Sequence, residues 1–119
     1  MRARRCLAAL LLLCLLPGLS SAEGGPRYEL FTSSFYDENG DGRGDLRGVL
    51  QKLDYLEDLG VKGLWLTPIH PSPSYHGYDV ADYLAVDPAL GTVEDVAALA
   101  DALHARGMRL ILDLVLNHT

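Results

Sequence analysis

The sequence predicts an α/β fold with a parallel sheet covered by helices, and its 119 residues are expected to hold only the first part of it. Short apolar runs alternate with segments of helical periodicity in the order strand, loop, helix, strand, long loop, helix, strand. The apolar runs contain few polar positions, which is typical of strands buried on both faces. Because three parallel strands leave unpaired edges, we expect further strands to complete the fold.

The first half of the predicted fold contains two strands and one helix. Tyr28 to Phe31 predicts the first strand. Leucines recur at helical spacing from Leu46 to Leu59, and Gly60 is a natural C-terminal stop for that helix. Val61 to Leu66 predicts the second strand, and a loop rich in Pro, Ser, His and Tyr extends from Thr67 to about Gly91.

The second half contains one helix and one strand. Thr92 is a candidate N-cap because Asp95 lies three residues further on, as in a capping box. Gly107 ends this helix. Leu110 to Leu116 predicts the third strand, which is apolar except for Asp113.

The first 22 residues have the organisation of a removable signal peptide. A basic start precedes a continuous apolar run from Leu7 to Leu16, and a Pro-Gly pair then separates this run from small residues. The run is too short to cross a bilayer as a mature helix, although an N-terminal anchor is the alternative. We therefore expect a secreted or periplasmic protein without disulfides, since Cys6 and Cys14 both lie in this leader.

The charge distribution argues against a nucleic-acid binder. The formal net charge is −6, and three of the ten Lys and Arg lie in the leader, whereas all 16 Asp and Glu follow it. A protein that binds phosphate backbones needs a basic surface, and the sequence has no basic stretch with interleaved aromatic residues. Nucleic acid is therefore excluded as a partner.

An acidic loop before the first helix predicts a metal site. Oxygen-bearing side chains occupy alternate positions at Asp37, Asn39, Asp41 and Asp45. With the backbone carbonyl of Arg43 they provide ligands that suit Ca²⁺ better than Mg²⁺. An EF-hand is excluded because its twelfth position, which requires Glu, is Gly48. The alternative is a solvated acidic turn that caps the helix beginning at Leu46.

Aromatic and polar residues follow the second strand at its carboxyl end, where α/β folds bind ligands. Tyr78 offers an aromatic face to the apolar face of a sugar ring, and His76 offers a donor to a hydroxyl group. Gly77 between them lets the backbone approach closely. The alternative is that these side chains only pack on their own loop and cap it.

The third strand ends in the residues Asp113-Leu114-Val115-Leu116-Asn117-His118. Asn117 and His118 emerge at its carboxyl end, the same end as the Tyr78 loop. A lone Asp within an apolar strand must be paired to offset its desolvation. We therefore expect Asp113 to be a buried structural ion-pair partner.

In this order and spacing, the three motifs resemble the N-terminal third of the alpha-amylase family (glycoside hydrolase family 13). The resemblance extends from about Tyr28 to Thr119, and Asp113 to His118 matches the DxxxNH motif of the family's first conserved region. It implies an incomplete (β/α)8 TIM barrel with the first three parallel strands and two helices. Residues 23–119 would then be the N-terminal part of a glycoside hydrolase catalytic barrel.

The resemblance also implies roles for individual residues. Tyr78 would stack under the sugar at subsite −1, while His76 and His118 would contact its hydroxyl groups. The loop from Asp37 to Asp45 is similar to the calcium loop of oligo-1,6-glucosidases and many bacterial alpha-amylases, and Asn117 corresponds to a calcium ligand in some branches. Tyr75 occupies a place where alpha-1,6-glucosidases tend to carry Asp, which favours alpha-1,4-glucans.

No catalytic residue is assigned, because the family's catalytic carboxylates lie on later strands and the 119 residues alone are expected to be inactive. The leading hypothesis is a truncated, secreted alpha-amylase-type hydrolase that acts on alpha-glucans or maltooligosaccharides with retention. The first alternative is an exported calcium-dependent carbohydrate-binding module without catalysis. A second is a degenerate family member retained for transport or interaction.

Overall fold

The computed structural model describes residues 24–117, which form a three-stranded parallel sheet with helices on one face. The strands, in sheet order, are β1 (Arg27–Leu30), β2 (Gly63–Leu66) and β3 (Arg109–Leu112). The helices are α1 (Leu46–Gln51), α2 (Leu53–Asp58) and α3 (Val93–Ala105). A single 3-10 turn at Thr32–Ser34 follows β1. The predicted parallel sheet of three strands is confirmed, while the predicted leader lies outside the described residues.

The segment predicted as one helix from Leu46 to Leu59 is divided at Lys52. The backbone N–H of Lys52 donates to the carbonyl of Val49, three residues back, and this tighter turn separates α1 from α2. The predicted stop at Gly60 is confirmed, because Gly60 has φ +81°, a conformation that favours glycine. Two short helices therefore replace the single predicted one.

The third strand is shorter than predicted, ending at Leu112 where the sequence suggested Leu116. Its neighbour β2 ends at Leu66, which pairs with Leu112. The N–H of Asp113 still donates to the carbonyl of Leu66 at 3.2 Å. Beyond that bond no described strand continues alongside residues 114–116, so they form no ladder. Within residues 24–117, β3 thus ends level with β2.

The two faces of the sheet differ in burial. Leu30, Leu64 and Leu66 point toward the helices and are buried in the core with leucines of α1, α2 and α3. The opposite face carries Trp65, which is 37% exposed, and Glu29, which is also exposed. The expectation of strands buried on both faces is therefore met on one face only within residues 24–117. No helix in this part of the chain has the length and apolar character needed to span a bilayer.

The predicted N-cap of the last helix is confirmed as a capping box. The Thr92 hydroxyl accepts from the N–H of Asp95 at 3.2 Å, and the Asp95 carboxylate accepts from the N–H of Thr92 at 2.9 Å. Asp95 also accepts from Nε of Arg47 in α1 at 3.1 Å. Burial alone raises the pKa of Asp95, but the hydrogen bonds from Arg47 and Thr92 outweigh it and lower this pKa below its ordinary value.

This capping box predicts a contribution to stability that depends on pH. Because the folded-state pKa of Asp95 is lowered, the contribution is present above the ordinary pKa of about 4 and is lost as pH falls through the folded value. Asp95→Asn is therefore expected to reduce the free energy of unfolding at pH 7. At pH 3 the free energies of unfolding of the variant and the wild type should differ by less than they do at pH 7. Urea unfolding at both pH values measures this, with Asp101→Asn, exposed on α3, as control. A difference that is independent of pH would contradict the prediction.

Candidate functional site

Asp113 joins two aromatic side chains at the carboxyl ends of the strands. One carboxylate oxygen accepts from Nε1 of Trp65 at 2.6 Å, and the other accepts from the hydroxyl of Tyr78 at 2.8 Å. Trp65 lies on β2, Tyr78 in the loop after β2, and Asp113 directly after β3. This Trp65–Asp113–Tyr78 group fixes the loop to the end of the sheet.

The expectation that Asp113 is a buried ion-pair partner is not met within residues 24–117. Asp113 is half-buried, and it pairs with no cation among residues 24–117. Two neutral donors satisfy its carboxylate instead. In the sheet, Trp65 on β2 lies opposite Ile111 on β3. Asp113 is two residues after Ile111, so its side chain points to the same face of the sheet as Trp65 and comes within reach of it. The sequence signal was available in this shared parity, but the role of Trp65 was missed.

The carboxylate of Asp113 alters the acidity of Tyr78. The hydrogen bond to Asp113 is the largest cause that raises the pKa of Tyr78 above its ordinary value of 10, and desolvation adds to it. The negative charges of Asp113 and Glu29 act in the same direction on this pKa. Tyr78 is therefore held as a neutral phenol whose hydroxyl is committed to Asp113, which leaves its ring as the part available to a ligand.

His76 is placed beside Tyr78 by local hydrogen bonding. Its Nδ1 accepts from the backbone N–H of Tyr78 at 3.0 Å, and the two ring centroids are 5.9 Å apart. Gly77 has φ +79°, and a Cβ there would lie 3.0 Å from the carbonyl oxygen of Pro68. Glycine thus lets the loop approach the end of β2. The hydrogen bond to Nδ1 supports the alternative that His76 caps its own loop. The other ring nitrogen of His76 has no partner among the residues that the structure describes.

A shallow depression of about 260 Å³ lies next to this group. It is lined by Tyr78, Asp113 and residues 114–117, so residues of the long loop and of the end of β3 border one space. The hydroxyl of Tyr83 donates to the carbonyl of Val115, which ties the long loop to this lining at a second point. Tyr83 was missed because nothing in its spacing indicates a distant backbone partner. His118, predicted to bind substrate, lies outside the described residues.

The acidic loop is folded by bonds between its own side chains and backbone. Asp37 accepts from the N–H of Gly40 and from that of Gly42, both at 2.7 Å. Asn39 accepts from the N–H of Asp41 at 3.0 Å, and Asp41 accepts from the N–H of Arg43 at 2.8 Å. A carboxylate oxygen has two lone pairs, so these bonds leave acceptor capacity on each carboxylate.

Asp45 also has a capping role. It is 5% exposed and is the N-cap of α1, where it accepts from the N–H of Gly48 at 2.6 Å. Its second oxygen accepts from the backbone N–H of Glu38 at 3.2 Å and from that of Asn39 at 3.4 Å. Between residues 24 and 117, no three His, Cys, Asp or Glu side chains form a group able to hold a metal ion. A cation in this loop would therefore need the Asn39 amide and a backbone carbonyl among its ligands.

The sequence model of one protein family, described as the alpha-amylase catalytic domain, matches residues 29–119 of the chain. The chain belongs to this family. It is 60% identical over 92 residues to alpha-amylase SusG of Bacteroides thetaiotaomicron, a match that covers 77% of the chain and 13% of that protein. Trehalose-6-phosphate hydrolase of Escherichia coli is 51% identical over 98 residues, or 82% and 18% of the two chains.

Solved structures agree with this assignment. Amy13B of Eubacterium rectale is superimposed with a TM-score of 0.77 at 50% identity, over 78% of the chain and 18% of that structure. The alpha-amylase from H. orenii also has a TM-score of 0.77, at 53% identity, over 80% of the chain and 21% of that structure. The family's fold is the (β/α)8 barrel, of which the chain holds the first three strands. The chain thus spans less than a quarter of the length of each of these four relatives.

Proposed function

We propose that this chain is the amino-terminal part of a secreted glycoside hydrolase that acts on alpha-glucans or maltooligosaccharides with retention of anomeric configuration. The observation that carries the proposal is the Trp65–Asp113–Tyr78 group beside Asn117, at the strand ends where barrel enzymes bind substrate. Relatives in the same family are alpha-amylases and oligo-1,6-glucosidases, which supports an alpha-glucan substrate. The leader pattern of residues 1–22 is the support for secretion.

The residues of the chain bind and orient substrate in this proposal, and the bond-breaking carboxylates belong to later strands. Tyr78 packs its ring against the apolar face of a glucose unit. His76 and His118 contact hydroxyl groups of the same unit. Because retention requires a nucleophile and an acid/base about 5 Å apart, the 119-residue chain alone is expected to show no hydrolysis.

Binding of maltoheptaose to the chain tests the sugar site. Trp65 is the only tryptophan, so its indole N–H gives one NMR signal that reports on the Trp65–Asp113–Tyr78 group. Maltoheptaose is expected to shift this signal. Tyr78→Ala is expected to weaken maltoheptaose binding about fivefold or more, since stacking of a ring on an aromatic side chain supplies about 1 kcal/mol or more. Tyr55→Ala, which alters an exposed tyrosine on α2, is the matched control. An equal response in Tyr78→Ala would contradict the proposal.

We also propose that the acidic loop binds Ca²⁺ through Asp37, Asn39, Asp41, Asp45 and the carbonyl of Arg43. All five supply oxygen, the ligand atom that calcium prefers. Because Asp37, Asp41 and Asp45 do not form one ligand group in the described structure, binding has to draw their carboxylates together around the ion. The side-chain bonds to the N–H groups of Gly40 and Gly42 give the loop a defined shape without the ion. Calcium would act on stability here and takes no part in bond cleavage.

Calcium addition is therefore expected to raise the thermal unfolding midpoint. A free Ca²⁺ concentration 100 times the dissociation constant stabilises a protein by about 2.7 kcal/mol. Asp41→Ala is expected to abolish the shift, because it removes one of the proposed ligands. Asp41 is exposed, and its other role is to accept a hydrogen bond from the N–H of Arg43 within the loop. Asp101→Ala, an exposed acidic residue on α3, should leave it unchanged. If Asp41→Ala kept the full calcium response, the loop would not be the site.

The open sheet face does not favour the alternative of a self-contained binding module. Trp65 and Glu29 are exposed on that face, which is the face that a barrel turns toward its interior.

A further inference from the structure

A tight turn in the long loop carries Tyr75 at its tip. The N–H of Gly77 donates to the carbonyl of Ser74 at 3.2 Å, which closes the turn and leaves Tyr75 and His76 at its two central positions. Tyr75 is 82% exposed, the largest exposed fraction among the six tyrosines of the chain. The turn therefore presents an aromatic ring that lies two residues before Gly77 and three before Tyr78.

Bonds within the same loop fix this turn. The hydroxyl of Ser74 donates to the carboxylate of Asp79, on the far side of the turn. At the base of the loop, the N–H of Ala81 donates to the carbonyl of Pro71 at 2.8 Å. All of these bonds join residues between 71 and 81, so the loop itself determines the place of Tyr75. A ring held in place before binding loses less conformational entropy when a ligand packs against it.

His76 connects the Tyr75 ring to the ring of Tyr78. The centroid of the His76 ring is 5.3 Å from that of Tyr75 and 5.9 Å from that of Tyr78. The imidazole plane is inclined by 74° to the Tyr75 ring and by 40° to the Tyr78 ring, so the two tyrosine rings cannot be parallel. A sugar ring that lies flat on Tyr78 therefore cannot also lie flat on Tyr75.

Two aromatic rings that are close together but inclined suit two different units of one sugar chain. Each glucose unit has an apolar C–H face that packs against an aromatic side chain. Successive units of an alpha-1,4-glucan turn relative to one another, so the apolar faces along the chain point in different directions. Tyr75 and Tyr78 present their rings with a change of direction of the same kind.

We propose that Tyr75 is a specificity-determining residue, a second aromatic platform for another unit of the alpha-glucan chain whose first bound unit lies on Tyr78. The inference rests on the proposed sugar binding at Tyr78 and adds a selection for length to it. A single glucose unit on Tyr78 does not reach the Tyr75 ring, whereas a longer chain packs against both rings. The loop thus binds oligosaccharides in preference to single sugars.

Two ligands of different length test the inference. The indole N–H signal of Trp65 in the 119-residue chain reports on Tyr78 through Asp113. This signal is titrated with methyl alpha-glucoside, which is a single unit, and with maltoheptaose. Tyr75→Ala is expected to weaken maltoheptaose binding about fivefold and to leave the affinity for methyl alpha-glucoside unchanged. Tyr75→Phe keeps the ring and should bind both ligands as the wild type does.

The failure of this inference is distinguishable from that of the proposed sugar site. Tyr55→Ala, which removes an exposed tyrosine of α2, is the matched control and should change neither affinity. If Tyr75→Ala weakened neither ligand, or both equally, the second platform would be overturned while sugar binding at Tyr78 stood. A wild-type chain that responds to neither ligand would overturn the proposed sugar site, and this inference with it.

Thermal unfolding separates sugar binding from a structural role of the ring. Because Tyr75 is exposed, Tyr75→Ala without sugar is expected to unfold within about 3 °C of Tyr55→Ala. At one fixed concentration of maltoheptaose, the rise in the unfolding midpoint should be smaller in Tyr75→Ala than in Tyr55→Ala. A lower midpoint without sugar, together with an equal rise in its presence, would show that the ring only packs against the protein and would overturn the inference.

Discussion

Replacing Gly48 with alanine is expected to destabilise the chain by about 2–3 kcal/mol, although alanine is the better helix former. Gly48 lies in the first turn of α1 and is buried. A Cβ at this position would overlap the carbonyl oxygen of Tyr36 and would lie 3.2 Å from Oδ1 of Asp45. Backbone atoms cannot move aside cheaply, so the loop that contains Asp37 would have to separate from the helix.

Helix propensity and close packing thus predict opposite signs for this substitution. Propensity alone gives Gly48→Ala a gain of up to about 1 kcal/mol. Urea unfolding decides between them, with Gln51→Ala, an exposed residue at the end of α1, as the control for propensity. A variant as stable as the wild type would show that the loop does not pack against α1 as closely as the structure indicates. The proposed calcium response should decline in the same variant.

The elements of the fold were largely predictable because each has a local signal. Leucine spacing located the first helical segment, and the Thr92–Asp95 pair located the start of the last helix. The ends of elements were less predictable because they depend on neighbours. β3 stops where β2 stops, and the division at Lys52 follows from a tighter turn that leucine spacing does not report.

The candidate site was predictable in its residue types and less so in its connections. The loop after β2 and the polar end of β3 were both expected at one end of the sheet, as the structure has them for Tyr78 and Asp113. The hydrogen-bond donors to Asp113 were not expected, because an isolated carboxylate in a strand suggests an ion pair. Its actual donors are 48 and 35 residues away in sequence. Contacts at such separation depend on the register, which is set by the whole sheet.

Replacing Asp113 is expected to have the second large effect, because one carboxylate holds two aromatic side chains. A hydrogen bond in a protein contributes about 1 kcal/mol on average and more when it is buried and charged, and because Asp113 is only half-buried, about 1 kcal/mol is expected for each of its two bonds. Asp113→Ala is therefore expected to lower the free energy of unfolding by about 2 kcal/mol. It should also shift the indole N–H signal of Trp65 and weaken maltoheptaose binding roughly tenfold, since 1.4 kcal/mol corresponds to a factor of ten.

A more conservative variant separates the charge of Asp113 from its shape. Asp113→Asn keeps one oxygen acceptor and removes the negative charge, so the pKa of Tyr78 should fall back toward its ordinary value of 10. Because the folded pKa of Tyr78 is raised, its bond contributes below that ordinary value and is lost as pH rises through the folded value. The variant should thus lose this contribution at lower pH than the wild type. NMR of ring-labelled tyrosine, assigned with Tyr78→Phe, measures the titration.

Asp82→Asn is the matched control, since Asp82 is an exposed carboxylate of the same long loop that accepts only from the N–H of Leu84. It should change neither the Trp65 signal nor the Tyr78 titration. If Asp113→Asn behaved like Asp82→Asn, the bonds from Trp65 and Tyr78 would contribute nothing to the site. The loop would then be held by packing around Gly77 and by the bond from Tyr83, and the aromatic face of Tyr78 would be positioned without Asp113.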